Sequence, residues 1–220
     1  MPSVIIIDDA PAVASKVFLG HSPSEVSSVK TFSGLTLGNP SPSRIAVLLA
    51  NGFSSSSSIT LNGYPLSMQA DYGGSASALW SGSVPTGNTG VDLIVTLPAN
   101  ALYVTLALYV LYRCRSLVPV SVKPTMWSTP NGTGTYTTLD NLTGIPRGSG
   151  LVSAAFPMQN NYTMALSSPN ISSDGQVAHT ILGGYMDSGH GVATASTEAV
   201  TYSVTKSING FAYIVAAAFR

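Results

Sequence analysis

Charge is what this sequence has least of. Only 8% of its 220 residues are Asp, Glu, Lys or Arg, against roughly 25% in ordinary soluble domains. Those are the usual occupants of solvent-facing helix positions, so a fold covered by many helices is excluded. The nine basic and nine acidic side chains balance to a formal net charge of zero, which leaves no long-range field to draw the chain to nucleic acid or anionic lipid. One cysteine, Cys114, cannot close an internal disulfide. The three histidines, His21, His179 and His190, stand far apart, and neither HExxH nor CxxC occurs. Neither a metal nor a cofactor is therefore expected. The most apolar run, at 101–112, falls well short of the roughly 20 residues of a membrane helix. The opening MPSVIIIDDAPAVASK has no basic leader and meets Asp8 and Asp9 directly after its apolar tetrad, so no signal peptide is expected. Four N-x-S/T matches, at Asn131, Asn141, Asn161 and Asn170, are the chance yield of a Ser- and Thr-rich chain.

Signatures of catalysis are as scarce. No G-x-S-x-G elbow occurs, and Asp187-Ser188-Gly189-His190 packs the letters of a triad into one short stretch, where a turn is the expectation, because triads are assembled from separate elements. Asp71, Asp92, Asp140, Asp174 and Asp187 are single acids that read as turn residues. GTGTY at 132–136 lacks the lysine of a phosphate loop. No catalytic residues are assigned, and the expectation is a protein that is not an enzyme.

What is present is 45% apolar residues set among Ser, Thr, Gly, Pro and Asn. That is too hydrophobic for disorder and suited to strands and turns. In ALYVTLALYVLYRCR at 101–115, Leu102, Val104, Leu106, Leu108 and Val110 share one face at period two, while Tyr103, Thr105, Ala107, Tyr109 and Leu111 share the other. Only a strand sorts them this way, and a long central one is expected. The same period places strands at 44–50, 58–62, 78–81, 92–97, 150–156, 162–167, 177–182, 199–205 and 211–219, separated by turn signals such as Asn51-Gly52 and Asn62-Gly63. The prediction is an all-β, antiparallel, jelly-roll-like sandwich of about ten strands, over 32–220, preceded by an extended N-terminal arm over 1–31.

The two halves echo each other. Ile45 and Val152 lie 107 residues apart, as do Arg113 and Arg220, and each half ends on its longest apolar strand. Between them, 119–148 reads as a long turn-rich excursion, the kind of segment where binding resides. Two sets of residues are candidates for contact. Val4, Ile5, Ile6 and Ile7 form a β-prone tetrad in the arm that could add a strand to a neighbour's sheet. Trp127 and Tyr136, with Tyr64, Tyr72 and Trp80, fall in or near expected turns and could stack on sugar rings; for Trp80 the competing reading is a side chain capping the core.

The succession FSGLTLGNPSPSRIAVLLANG, SITLNG, ALWSGSVPTGNTGVDLIVTL and a long strand ending LYR, over 32–113, resembles a β-sandwich module of structural proteins of tailed bacteriophages and related gene-transfer particles. The resemblance implies a non-enzymatic virion component, with no shared catalytic residues to carry over. The chain has no long repetitive shaft, which points to a compact accessory protein, such as a head decoration (cement) or spike protein at the virion surface. Its partners would be other capsid or tail proteins, in a symmetric homo-oligomer such as a trimer. The alternative is a carbohydrate-binding adhesin or tail-fibre receptor-binding module holding a host-surface glycan.

Overall fold

The computed structural model describes residues 12–20, 28–51, 57–72, 77–97, 105–128, 134–157, 162–179, 184–206 and 211–220. Every regular element among them is a strand. The first eight are β1 (Ala12–Gly20), β2 (Val29–Leu35), β3 (Ile45–Asn51), β4 (Ser58–Leu61), β5 (Tyr64–Tyr72), β6 (Ser77–Ser83), β7 (Val91–Thr96) and β8 (Thr105–Tyr112). The second eight are β9 (Ser121–Ser128), β10 (Gly134–Thr143), β11 (Gly150–Pro157), β12 (Thr163–Leu166), β13 (Ile171–His179), β14 (Gly184–Val192), β15 (Thr197–Lys206) and β16 (Phe211–Phe219). Sixteen strands thus replace the expected ten. Those the sequence pattern missed, β1, β2, β5, β9, β10 and β14, are broken by Gly, Pro or polar residues and show no clean alternation.

Each half forms its own sheet. The first runs β1-β8-β3-β6-β5-β4-β7-β2. The second runs β9-β16-β11-β14, with β13 on β14, and β14 continues through β12 and β15 to β10. Adding eight to each strand number of the first sheet gives the neighbours of the second, except that β12 meets β14, through one parallel pair Thr163↔Tyr185, and has no ladder with β13 to match that of β4 with β5. The sequence echo is therefore a repeat of topology.

Each sheet curls around a core of its own. In β7 the alternation is clean, with Val91, Leu93 and Val95 buried and Asp92 and Ile94 exposed. These side chains meet Ala46 and Leu48 of β3, Trp80 of β6 and Leu106, Leu108 and Val110 of β8. Strand β5 makes the corner, pairing with β4 through Tyr64 to Leu66 and with β6 beyond Ser67, with a register shift at Met68/Ala70. The second core gathers Leu151, Tyr162, Met164, Val200, Tyr202, Val204 and Ile214.

A third core joins the halves. Ile45, Val47 and Leu49 of β3 and Ala107, Tyr109 and Leu111 of β8 pack on Val152, Ala154 and Phe156 of β11 and Val215, Ala217 and Phe219 of β16. Both faces of β3 and β8 are consequently buried, including the mixed Ala107/Tyr109/Leu111 face. The expected long central strand lies between β1 and β3, and residues 101–104 fall outside the described residues.

The 107-residue spacing has a geometric counterpart. A Cβ on Gly82 of β6 would sit 2.6 Å from the carbonyl oxygen of Pro65, and one on Gly189 of β14 would sit 2.4 Å from that of Ser172. Glycine and carbonyl are displaced by the same interval as Ile45 and Val152. The last strand departs from it, since Ile45 faces Leu111 across β3/β8 whereas Val152 faces Ala217 across β11/β16.

Of the segment expected as an arm, 12–20 is β1, antiparallel to β8, and 29–31 opens β2. Val4, Ile5, Ile6 and Ile7 lie outside the described residues. The stretch 119–148 is no loop excursion, because it contains β9 and β10. Lys123 and Pro124 obscure the strand period in β9, which its place at the end of the sheet permits.

Candidate functional site

Buried polar side chains brace loops or seams at three places, and each of these is satisfied from within the chain. The first is Arg44, the residue before β3, which is fully buried. Its Nε donates to Val84 O at 2.7 Å, one terminal nitrogen to Gly38 O at 2.9 Å and Asn39 O at 3.1 Å, and the other to Gly87 O at 2.8 Å. A buried cation held by main-chain oxygens of two loops fixes 37–39 against 84–87. The planar fork of Arg suits this, and a point-like ammonium does not.

Glu198 holds the matching loop of the second half. It is buried at the start of β15 and accepts from Asn170 Nδ2 at 2.7 Å, from the Ala195 amide at 2.8 Å and from the Thr194 amide. Burial pushes its carboxyl up, but the hydrogen bonds from Asn170, Ala195 and Thr194 outweigh it and hold the group below the usual carboxylate range.

The third place is the seam between the halves. Tyr109 of β8 puts its hydroxyl 2.7 Å from Ser188 Oγ and 3.0 Å from Asp174 Oδ2. With one proton to give, it donates to the carboxylate and accepts from the serine. His190 Nδ1 lies 2.9 Å from the Asp174 carboxylate. Burial raises the Tyr109 phenol far above its ordinary range, so it stays protonated. Asp187 faces the other way, accepting from the Leu166 amide at 2.7 Å and Ser173 Oγ at 2.8 Å.

The triad letters therefore belong to a strand and not to a turn. β14 runs through Asp187, Ser188, Gly189 and His190, with Gly189 forced by the close passage of Ser172. Ser188 is fully buried with Tyr109 as its partner, and His190 spends Nδ1 on Asp174. No open nucleophile results. The single acids expected at turns are likewise strand residues: Asp71 on β5, Asp92 on β7, Asp140 on β10, Asp174 on β13 and Asp187 on β14.

The aromatic candidates lie on strands, all but Trp80 within two residues of a strand end. Trp127 is on β9 with its backbone opposite Ala212, and Tyr136 is on β10 opposite Val204, half-buried. Tyr64 and Tyr72 belong to β5, the latter with its ring 6.2 Å from that of Tyr213. Trp80 is buried in the first core, as the core-capping reading had it. His21 falls outside the described residues, and His179 closes β13. Among the described residues no three of His, Cys, Asp and Glu come together as a metal site, and no helix is long and apolar enough to cross a membrane.

One depression, about 240 Å³ in volume, opens where the chain passes from β8 toward β9, lined by Ser43, Ile45, Ser83, Cys114, Arg115 and Leu117. It is small beside the roughly 300–1,000 Å³ of small-molecule sites. Burial pushes the Cys114 thiol up to about 12, which keeps it from acting as a nucleophile near neutrality. The crossing itself is stitched down by the Arg115 amide to Arg220 O at 2.6 Å, the Val120 amide to Ala218 O at 2.8 Å and Ser81 Oγ to Leu117 O. It nevertheless exposes Leu117, Val118 and Val120 side by side.

No family model matches the chain, and no curated protein does. Among solved structures, the major capsid protein P2 from bacteriophage PM2 aligns over 93% of this chain and 97% of its own, at 13% identity and a TM-score of 0.25. At that score the backbones do not superpose as one fold.

Proposed function

We propose that each eight-strand set is a jelly roll and that the chain is a non-enzymatic structural component of a virus particle, present in many copies at its surface. The strand order carries this reading. It divides the first set into a layer β1-β8-β3-β6 and a layer β2-β7-β4-β5, the arrangement used by capsid and lectin jelly rolls, and the second set repeats it as β9-β16-β11-β14 and β10-β15-β12, with β13 on β14. The step from fold to role is one of analogy, and it is supported by chemistry. The buried polar groups brace loops and seams, the net charge is zero, and apolar residues at the β8–β9 crossing are exposed. A surface with few charges of either sign is poorly defended against association. The tailed-phage resemblance of 32–113 supports the finer reading of a head decoration or spike protein.

Binding to the assembled state alone would stabilise a shell in proportion to the affinity, and many symmetry-related copies would let a modest patch suffice. The test is to strip the protein from purified particles and titrate it back, with electron microscopy of the product. Saturable rebinding at regular lattice positions is the expected outcome. A chain that stays monomeric at high concentration and shows no affinity for particles would sink the proposal. The alternative is the carbohydrate-binding reading, in which Trp127 on β9 and Tyr136 on β10 would supply the stacking rings.

A further inference from the structure

The second sheet ends on a strand without Lys, Pro or bulge, whose one charge is Asp140. β10 pairs with β15 through ten consecutive residues without a register shift, from Gly134↔Lys206 to Thr143↔Thr197. Its other side has no ladder among the described residues. Edge strands are normally blunted by Lys, Pro, bulges or brevity, because an open row of amides and carbonyls recruits another chain. β10 contains neither Lys nor Pro. Its topological counterpart β2 carries both Lys30 and a register shift between Phe32 and Leu35, with Gly34 at φ 77°. Lys30 is buried, an inward charge like Asp140, so what separates the two copies is the bulge, present in β2 and absent from β10.

A second observation marks the same strand. Asp140 Oδ2 is buried without a hydrogen-bond partner among the described residues, and so is Thr125 Oγ1 on the facing edge strand β9. Buried polar atoms are rarely left so.

Building on the reading above as a multi-copy assembly, we infer that β10 receives an added strand, and that its occupant is the tetrad VIII, residues 4–7, of a second copy. Four β-branched residues in a row have high strand preference, and their main chain supplies the complementary bonds. Residues 8–11 separate the tetrad from β1, a reach of roughly 17 Å when extended. β1 ends the first sheet and β10 ends the second, so the donating and receiving surfaces differ and the contact is head-to-tail. Such contacts close into rings when the rotation allows.

The experiment uses the intact chain and a full-length variant with Val4, Ile5, Ile6 and Ile7 replaced by Ser. Sedimentation should show the wild type self-associating and the variant weakened by about tenfold or more, that is ~1.4 kcal/mol. A labelled peptide of residues 1–11 should bind the variant saturably and slow amide exchange in 134–143 but not in 29–35. Two further peptides are N-methylated at residues 4 and 6 or at 5 and 7. One should bind unchanged and the other should lose affinity, because alternate amides face the receiving strand. Equal loss with both, or protection at β2, overturns the inference. If the serine variant assembles as well as the wild type, this inference falls and the proposed function stands. If the wild type does not self-associate, this inference falls alone, and if it also shows no affinity for particles, both fall.

Discussion

At Arg44 and Glu198 the two halves solve one problem with opposite charges. Both side chains brace the loop between the sixth and seventh strands of their set, the arginine by collecting carbonyls at 84–87 and the glutamate by collecting amides at 194–195. Arg44→Met should cost about 3 kcal/mol or more in urea unfolding, because several buried carbonyls lose charge-assisted donors at once. Arg44→Lys should recover little of that, since three donors on one nitrogen cannot span both loops. Glu198 makes a prediction in pH. Its folded pKa lies below its unfolded value, so it contributes stability above the unfolded value near 4.5, and that contribution disappears as pH falls through the folded one. Glu198→Gln should therefore be less stable than the wild type at pH 7 and should lose less stability between neutrality and pH 3. Parallel acid-unfolding curves for the two proteins would contradict this account. For Cys114, a thiol raised to about 12 should react with a disulfide reagent at pH 8 on the order of a thousandfold more slowly in the folded chain than in urea.

Among the strands, those written in clean alternation or long aliphatic runs were legible and those written around glycine were not. β7 shows its inward set directly as Val91, Leu93 and Val95, and β8 shows Leu106, Leu108 and Val110. β14 hides its strand because Gly189 stands where a neighbouring backbone leaves no room for a Cβ, and GHG beside Asp187 and Ser188 looks like a turn. The same constraint at Gly82 makes the repeat testable. Gly82→Ala and Gly189→Ala should each destabilise by about 1–3 kcal/mol, since the clash in both is with a main-chain oxygen that cannot swing away. A neutral result at either position, measured by thermal unfolding, would show that the two passages are looser than their geometry. The candidate site was legible only in part. Trp127 and Tyr136 were found as aromatics, but that they ride on adjacent edge strands depends on pairings to β16 and β15 across more than sixty residues, which local pattern does not carry. Tyr109's polar tip fixes the seam to Asp174 and Ser188, again across the repeat.

On the scale of the molecule, the shared core decides whether the two sets are independent units. Ile45, Val47 and Leu49 were readable as an apolar face, yet they face the other half and not their own interior, which Ala46 and Leu48 line. The burial of both faces of β3 and β8 means that separating the halves would expose a sheet face as apolar as a domain interior. At roughly 25 cal/mol per Å² of apolar surface, such a face couples the stability of one set to the other. Phe156, fully buried in that core, is the side chain to test. Phe156→Ala should cost about 3–5 kcal/mol. Amide exchange should then accelerate not only in β11, which carries it, and β16, which pairs with it, but also in β3 and β8 of the first set. Tyr162→Ala, which empties only the second core, should leave β3 and β8 less affected for the same loss of global stability. Were both substitutions to loosen the second set alone, the halves would be independent units resting against each other, and the apolar seam would be a contact rather than a core.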